Sequence, residues 1–247
     1  MDAEGIDWRQ WSEFFGNRKD RAVPDLEACD LYTDLPASLA QSLAIFQLGE
    51  SGGGTIIDQA RNSCIKAIDH DYADAMALFV AEEHRHADIL ASCVSVLGGT
   101  LIRRNWTAKL FVSARRLIGL RLKVLVLLAA EVVGICYYHL LASRLPHCDI
   151  KLILEELVAD ELSHLRFHCT FLRTQAPSGW RRRVFTLFWR VTMIAAGLAV
   201  TIDHYNALRD MNIDVKVVWR RWIAYSRLAE DFVARRCPLL TNSQIPC

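Results

Sequence analysis

The sequence has few residues that end helices and no cysteine spacing typical of a zinc site. Six prolines occur in 247 residues, and four of them lie at the boundaries of apolar stretches, where proline ends a helix: Pro36, Pro146, Pro177 and Pro238. The eight cysteines include no Cys-x-x-Cys pair, which excludes the usual cysteine-bound zinc sites. Several lie inside apolar stretches, where cysteine acts as a small hydrophobic residue. We therefore expect reduced thiols and a cytoplasmic protein.

An excess of charge of one sign is also lacking. The chain has 29 Lys and Arg against 28 Asp and Glu, a formal net charge of +1. No global field therefore attracts nucleic acid, and we expect no nucleic-acid partner. The first residues, Met1 to Gly5, are acidic and lack an apolar core, so no signal peptide is expected.

Strand-like alternation of apolar and polar residues is absent, which predicts an all-α fold. The chain divides into four predicted parts. Residues 1–35 form a short docking helix and a loop, and residues 36–176 form a bundle of four long helices. Residues 177–236 add further helices, and residues 237–247 form a tail. The long helices are predicted at 36–67, 71–98, 107–143 and 149–174, and the added ones at 180–208 and 214–234.

Two apolar stretches have the length of a membrane span. Leu117 to Ala142 carries Glu131 and two basic residues, which argues against contact with lipid. Val184 to Ile202 carries only Arg190 and follows three arginines. It is either a helix buried against the bundle or an interfacial helix with a basic flank, and the charge at its centre favours burial. Peripheral membrane contact therefore stays open.

A Glu three residues before a His is the pattern that carries chemistry, and it occurs twice. Glu83 precedes His86 on the second long helix, and Glu161 precedes His164 on the fourth. Residues three apart lie on one face of a helix, so both side chains of a pair can reach one metal ion. Chance pairing of the 11 Glu and 8 His in the chain predicts fewer than one such spacing.

One further Glu lies on each of the other two long helices. Glu131 is in the middle of an apolar run, where an unpaired carboxylate costs several kcal/mol and needs a cation. The alternative for Glu131 is an ion pair with Arg121 or Lys123, which are eight or more residues away. Glu50 follows a mostly apolar run and precedes three glycines, so it is either a ligand or a solvated residue at a helix break.

Together these residues form the set that holds two first-row metal ions inside a helical bundle. Carboxylates and imidazoles suit iron or manganese. The predicted metal ligands are Glu50, Glu83, His86, Glu131, Glu161 and His164.

Five side chains neighbour the predicted ligands, and three of them have two interpretations each. Asp160 either hydrogen-bonds a ligating His or is a surface residue. His168, one turn after the second His, either supports the site or is an ordinary buried polar residue. Tyr138 is a candidate catalytic proton donor, with core packing as the alternative. Glu82 and His84 point about 100 degrees away from the ligands on the helix, so we expect them to be solvated.

These motifs resemble those of the ferritin-like superfamily. Glu82-Glu83-His84-Arg85-His86 looks like the EENRH segment of soluble acyl-carrier-protein desaturases, and Asp160-Glu161-Leu162-Ser163-His164 looks like their matching DExxH segment. The resemblance covers residues 36–175. It implies a ferritin-like four-helix bundle, here with additional N- and C-terminal helices.

The resemblance also implies two iron ions as cofactors. Glu50, Glu83 and His86 would bind one ion, Glu131, Glu161 and His164 the other, and Glu83 and Glu161 would bridge them. With an electron donor, such a centre activates dioxygen to hydroxylate, desaturate or N-oxygenate an organic substrate. The apolar bundle favours a hydrophobic or acyl-type substrate.

Two other classes of function remain open at this point. One is iron handling, as a ferroxidase or a peroxide scavenger, although the chain lacks the cysteine pairs of a rubredoxin-type electron site. The other is a metal-free interaction protein, against which the complete ligand set argues. A homodimer is compatible with the sequence.

Overall fold

The computed structural model describes residues 7–27, 30–52, 55–65, 67–109, 119–175 and 180–234. Within these ranges the chain is all-helical and contains no strand, as predicted. The helices are α1 Trp8–Gly16, α2 Asp30–Thr33, α3 Ala37–Glu50, α4 Thr55–Arg61, α5 His70–Val96, α6 Leu120–Ala142, α7 Asp149–Thr174, α8 Trp180–Asp203, α9 Tyr205–Asp210 and α10 Val215–Val233. The predicted tail, residues 237–247, lies outside the described residues.

Three of the helices begin at an aspartate that caps a backbone amide. Asp7 accepts a hydrogen bond from the amide of Arg9, Asp69 from that of Tyr72, and Asp214 from that of Lys216. Each carboxylate satisfies one of the amide groups that have no partner in the first helical turn.

Three predicted helix boundaries are wrong, and local backbone chemistry explains two of them. The helix predicted at 36–67 ends at Glu50, and α4 begins at Thr55; Gly52, which follows α3, opposes helix by about 1 kcal/mol. The helix predicted at 107–143 is interrupted by Gly119, which is extended, with φ −66° and ψ 167°. The helix predicted at 180–208 ends at Asp203 instead.

The long helices pack in two closely associated pairs. α3 lies along α5, and α6 lies along α7, while α5 also contacts α7. α1 covers α5, and α10 packs on α6, α7 and α8. α6 is predominantly apolar, and 89% of its most apolar 18-residue stretch is buried. The structure therefore places this first span-like stretch in the core.

α8 behaves differently from α6 because only one of its faces is covered. It is also long and apolar enough to cross a membrane, but only 33% of its apolar window is buried. Trp189 and Met193 pack inwards, and Arg190 pairs with Glu230 at 3.0 Å. The outer face exposes Val184, Leu187, Phe188, Val191, Ile194, Leu198 and Ile202. The expectation that this stretch is buried against the bundle holds for one face only.

Candidate metal centre

The two Glu-x-x-His pairs meet where α5 crosses α7. One ligand atom from each of Glu83, His86, Glu161 and His164 lies within 4.8 Å of the others, and all four residues are buried. The Nδ1 atom of His164 is 3.0 Å from Glu83 Oε1 and 3.3 Å from Glu161 Oε2. The Nδ1 atom of His86 is 3.3 Å from Glu161 Oε1 and 3.7 Å from Glu83 Oε1. Both imidazoles therefore face both carboxylates.

The single glutamates of α3 and α6 lie beside this cluster. Glu131 Oε2 is 3.6 Å from His164 Nδ1, and Glu131 is 3% exposed. Glu50 is the last residue of α3, and burial and then the charge of neighbouring Glu83 raise its pKa. All six residues predicted as ligands therefore lie in one cluster, although they come from four different helices.

Several buried polar atoms of the cluster have no hydrogen-bond partner among the described residues. They include Glu83 Oε1, Glu161 Oε1 and His86 Nδ1, whose close contacts with one another and with His164 lack hydrogen-bond geometry. Buried polar atoms are rarely left without a partner, and a bound ion is one of the recognised reasons for such an arrangement. Carboxylate oxygens and imidazole nitrogens together are ligands for iron, manganese or zinc. The donor set therefore fits a buried metal ion.

The outer nitrogen of each imidazole is bound by a carboxylate from the opposite helix. His86 Nε2 is 3.2 Å from Asp160 Oδ2, and His164 Nε2 is 2.9 Å from Glu82 Oε2. When Nε2–H donates to a carboxylate, the Nδ1 lone pair is left to face the centre of the cluster. The interpretation of Asp160 as a partner of a ligating His agrees with this geometry.

The expectation that Glu82 is solvated is wrong. Glu82 is 7% exposed, because α1 and the loop after it cover this side of α5. His84, on the same helix, is exposed as expected. The sequence offered one signal for Glu82: like Asp160, it immediately precedes a ligand glutamate.

Three arginines neutralise the two outer carboxylates. Arg18 contacts Glu82 at 3.0 Å and also pairs with Asp160. Arg21 lies 2.5 Å from Asp160 and also pairs with Glu82, and Arg85 lies 3.8 Å from Asp160. Arg18 and Arg21 follow α1, so the N-terminal segment supplies most of this charge. Sequence reasoning missed both residues, because nothing local links them to α5 and α7.

Without a metal ion, the cluster retains protons. Burial raises the pKa of both Glu50 and Glu131 well above the ordinary range, and the carboxylates of Glu83 and Glu161 raise it further. Burial alone would lower the pKa of His164, but the carboxylates around it raise the pKa well above its ordinary value. Metal ions compete with these protons, since the ligands must be deprotonated.

In two groups around the cluster the pKa is lowered instead. Burial acts to raise the pKa of Glu82, but the hydrogen bond from His164 and the charge of Arg18 lower it to about 2. Burial lowers the pKa of His168 to about 3, so this ring is neutral. His168 Nε2 lies 3.3 Å from Glu131 Oε1, close to the site but not in hydrogen-bond geometry.

Tyr138, the predicted catalytic residue, is fully buried. Its hydroxyl donates a hydrogen bond to Glu50 Oε1 at 3.0 Å. Burial raises the pKa of this tyrosine well above its ordinary value, and the charge of Glu50 adds to the effect. Tyr138 is thus a neutral hydrogen-bond donor to a candidate ligand.

An apolar cavity of about 330 Å³ opens directly onto the cluster, within the range of roughly 300–1,000 Å³ typical of small-molecule sites. Four of the six candidate ligands line it: Glu50, Glu83, Glu131 and Glu161. Its remaining walls are mostly apolar and include Ile45, Phe46, Ile56, Phe79, Val80, Leu127, Val133 and Val200. The cluster can therefore be reached by an organic molecule from its carboxylate side.

In comparisons with known proteins, no family model, no curated protein and no solved structure matches this chain.

Proposed function

We propose that the protein is a non-haem di-iron oxidoreductase, in which α3, α5, α6 and α7 form a ferritin-like four-helix bundle. Glu50, Glu83 and His86 would hold one ion, and Glu131, Glu161 and His164 would hold the other. Manganese is the alternative metal, since it takes the same ligand types. The known arrangement for such a pair of ions takes one Glu from each of two helices and a Glu-x-x-His pair from each of the other two.

The observation that carries this proposal is the position of the cavity. The imidazoles of His86 and His164 lie on the side of the arginines, whereas the carboxylates face the apolar cavity. A site that only bound metal for structural reasons would not need an apolar space of this volume beside its carboxylates. This arrangement favours an organic, hydrophobic substrate that is oxidised next to the metal ions.

A pair of ferrous ions would supply the reduction of dioxygen, for which an electron donor is required. The protein's own groups have separate tasks. Glu82 and Asp160 fix the orientation of the two imidazoles. Tyr138 holds the carboxylate of Glu50 through its hydroxyl and can deliver a proton at that oxygen. The apolar walls exclude water from the reacting centre.

Iron handling is the second candidate function. A ferroxidase needs a path for hydrated ions, and such a path is polar. The walls of the cavity are mostly apolar, which favours an organic substrate over an incoming hydrated ion.

Iron content tests the proposal directly. We expect about two iron ions per chain after anaerobic loading and desalting, because the complete set holds two ions. The Glu83→Gln and His164→Ala variants should retain fewer than about half as many, because each removes a ligand. His84→Ala is the matched control, since His84 lies beside a ligand but is exposed. An iron content below about half an equivalent in the wild-type protein would overturn the di-iron assignment.

Oxygen consumption separates the two candidate functions. The loaded protein, supplied with a chemical reductant, should consume dioxygen faster when a hydrophobic substrate is added. A ferroxidase would instead consume dioxygen in proportion to added ferrous ion and show no dependence on the organic compound.

We also propose that the exposed face of α8 contacts a lipid surface. Its apolar side chains are flanked at the N-terminal end by Trp180, which is 70% exposed, and by the exposed Arg183. An apolar face with a basic, aromatic end fits an anionic membrane surface. Val200 of the same helix lines the cavity, so a hydrophobic substrate could reach the cavity from that side.

A further inference from the structure

A buried histidine that is not one of the six candidate ligands forms part of the cavity wall. His204 lies between α8 and α9, is 4% exposed and lines the cavity. Its Nδ1 atom lies 2.7 Å from Oγ of Ser42 on α3, and the same Oγ lies 2.7 Å from the hydroxyl oxygen of Tyr137 on α6. Ser42 and Tyr137 are both buried. Among the described residues that line the cavity, only His204 of these three is present.

The tyrosine fixes the direction of these two hydrogen bonds. Burial raises the pKa of Tyr137 above its ordinary value, so the hydroxyl keeps its proton. A buried hydroxyl donates where an acceptor is within reach, and Tyr137 meets Oγ of Ser42. The hydroxyl of Ser42 then donates to Nδ1 of His204. In a neutral imidazole whose Nδ1 accepts, the proton is carried by Nε2.

The imidazole of His204 is neutral, and the carboxylate next to it is occupied by other groups. Burial lowers the pKa of His204 to about 4, although the charge of Asp203 acts to raise it. Asp203 accepts hydrogen bonds from Asn105 at 3.3 Å, from Trp106 at 3.0 Å and from the hydroxyl of Thr107 at 2.5 Å. Thr107 also lines the cavity, but its proton is given to Asp203. At this part of the wall the Nε2–H of His204 is therefore left as the donor.

The neighbours of the ring leave its Nε2 edge towards the cavity. The ring centroid of Phe46 lies 4.8 Å from that of His204 at an interplanar angle of 31°, and Tyr137 lies 4.8 Å away at 52°. Ser42 holds the Nδ1 edge. Within the described ranges Nε2 has no hydrogen-bond partner, and it is not one of the atoms sealed from all access. The exposed part of this ring therefore includes Nε2.

We propose that the cavity binds an apolar molecule with one uncharged oxygen acceptor, such as a ketone or ester carbonyl, which accepts a hydrogen bond from Nε2–H of His204. A carboxylate at the same place would lose its hydration against a single uncharged donor, which is unfavourable. This inference rests on the proposed function and specifies its substrate class. His204 is a binding residue. Ser42 and Tyr137 are positioning residues, which act by fixing the nitrogen of His204 that carries the proton.

Nonan-2-one and its hydrocarbon isostere 2-methylnon-1-ene test this assignment. Their affinities for the metal-free full chain are measured by calorimetry and expressed as a ratio. We expect His204→Phe, which keeps an aromatic ring, to shift the ratio about tenfold against the ketone, because the carbonyl loses its donor inside an apolar cavity. His147→Phe makes the same change at an exposed position and should leave the ratio unchanged.

The carbonyl stretch of isotope-labelled nonan-2-one reports the hydrogen bond directly and requires no variant. We expect its frequency to be lower in the wild-type protein than in a hydrocarbon solvent, and to return to the hydrocarbon value in His204→Phe. Nitrogen NMR of the imidazoles tests the positioning role. It should show the Nε2–H tautomer of His204 in the wild-type protein and a mixture of tautomers in Ser42→Ala, which loss of packing alone would not produce.

The use of metal-free protein separates this inference from the di-iron proposal. A lowered carbonyl frequency that is lost in His204→Phe supports the neutral acceptor site, even if iron loading fails and the di-iron proposal falls. A hydrocarbon-like frequency in the wild-type protein overturns the inference, and so does a lowered frequency that persists in His204→Phe. A metal-free wild-type protein that binds neither compound overturns it as well.

Discussion

The Nε2 atom of His164 lies 2.9 Å from Oε2 of Glu82, the residue that immediately precedes a candidate ligand on the opposite helix. The relationship is repeated in the other half of the site, where Asp160 precedes Glu161 and binds Nε2 of His86 at 3.2 Å. Each Glu-x-x-His helix thus supplies two candidate ligands and also the carboxylate that contacts the imidazole of its neighbour. This reciprocal arrangement makes the site dependent on the exact crossing of α5 and α7.

Removing either outer carboxylate should weaken metal binding without removing a ligand. We expect Glu82→Gln and Asp160→Asn each to lower the affinity for ferrous ion by about 10- to 100-fold, as substitutions of such groups do in other metal sites. Asp88→Asn, an exposed position on the same helix as Glu82, is the control. Competition with a chelator of known affinity measures the change. An unchanged affinity in both variants would show that the imidazoles do not bind the metal through Nδ1.

Glu131 should be unfavourable to the folded protein when no metal is present. Its pKa is raised by burial and by Glu161, so the metal-free protein must hold it protonated or accept a buried charge. Glu131→Gln keeps its shape and removes the charge. We expect the metal-free variant to melt at or above the temperature of the metal-free wild-type protein, measured by circular dichroism, and to lose most of its stabilisation by iron.

The exposed Glu155 on α7 provides the control for that experiment. Glu155→Gln should change neither the metal-free melting temperature nor the stabilisation by iron. A Glu131→Gln protein that melts far below the wild type without metal would identify Glu131 as a structural ion-pair partner, and the metal assignment would lose one of its six candidate ligands.

Stability should depend on pH in opposite ways with and without metal. Glu50, Glu131 and His164 have raised pKa values in the metal-free fold. The stability from such groups is complete below their ordinary pKa values of 4.5 for Glu and 6.5 for His. It is lost as the pH rises through the raised values, because the folded state then gives up protons that it binds more tightly than the unfolded state.

Metal binding requires the same groups to be deprotonated, so it strengthens as the pH rises. We therefore expect the difference in melting temperature between manganese-loaded and metal-free protein to increase from about pH 6 to about pH 8. Loading should also release protons into a weakly buffered solution, which a pH indicator can follow. A difference that is constant across this range would mean that the ion does not displace these protons.

The sequence was sufficient to predict the centre of the site but not its surroundings. Glu83, His86, Glu161 and His164 follow a helical spacing, and Glu131 interrupts an apolar run, so local patterns identify them. Arg18 and Arg21 reach Glu82 across 64 and 61 residues of sequence, and no local pattern encodes that contact. The prediction that Glu82 is solvated was wrong for this reason. Its direction on the helix followed from the sequence, but the N-terminal segment that covers it did not.

Lys123 is a second residue whose surroundings depend on a contact that is distant in sequence. In the sequence it is one of two basic residues at the start of an apolar helix and was considered only as a partner for Glu131. Its ammonium lies 3.3 Å from the hydroxyl of Thr55, which belongs to α4 and lies 68 residues earlier. α3 ends at Glu50 inside what was predicted as one helix, and Thr55 begins the separate helix α4.

The outer face of α8 gives the last prediction. We expect the protein to sediment with vesicles containing anionic phospholipid and to be released by high salt or alkaline carbonate, since peripheral binding adds roughly 1 kcal/mol per basic residue near the surface. Leu187→Glu should abolish sedimentation because Leu187 is 65% exposed on that face. Leu152→Glu, 48% exposed on α7, is the matched control. Release only by detergent would make α8 a membrane span. If the wild-type protein does not bind vesicles but forms an oligomer, and the Leu187→Glu variant is monomeric, a second copy of the chain covers this face.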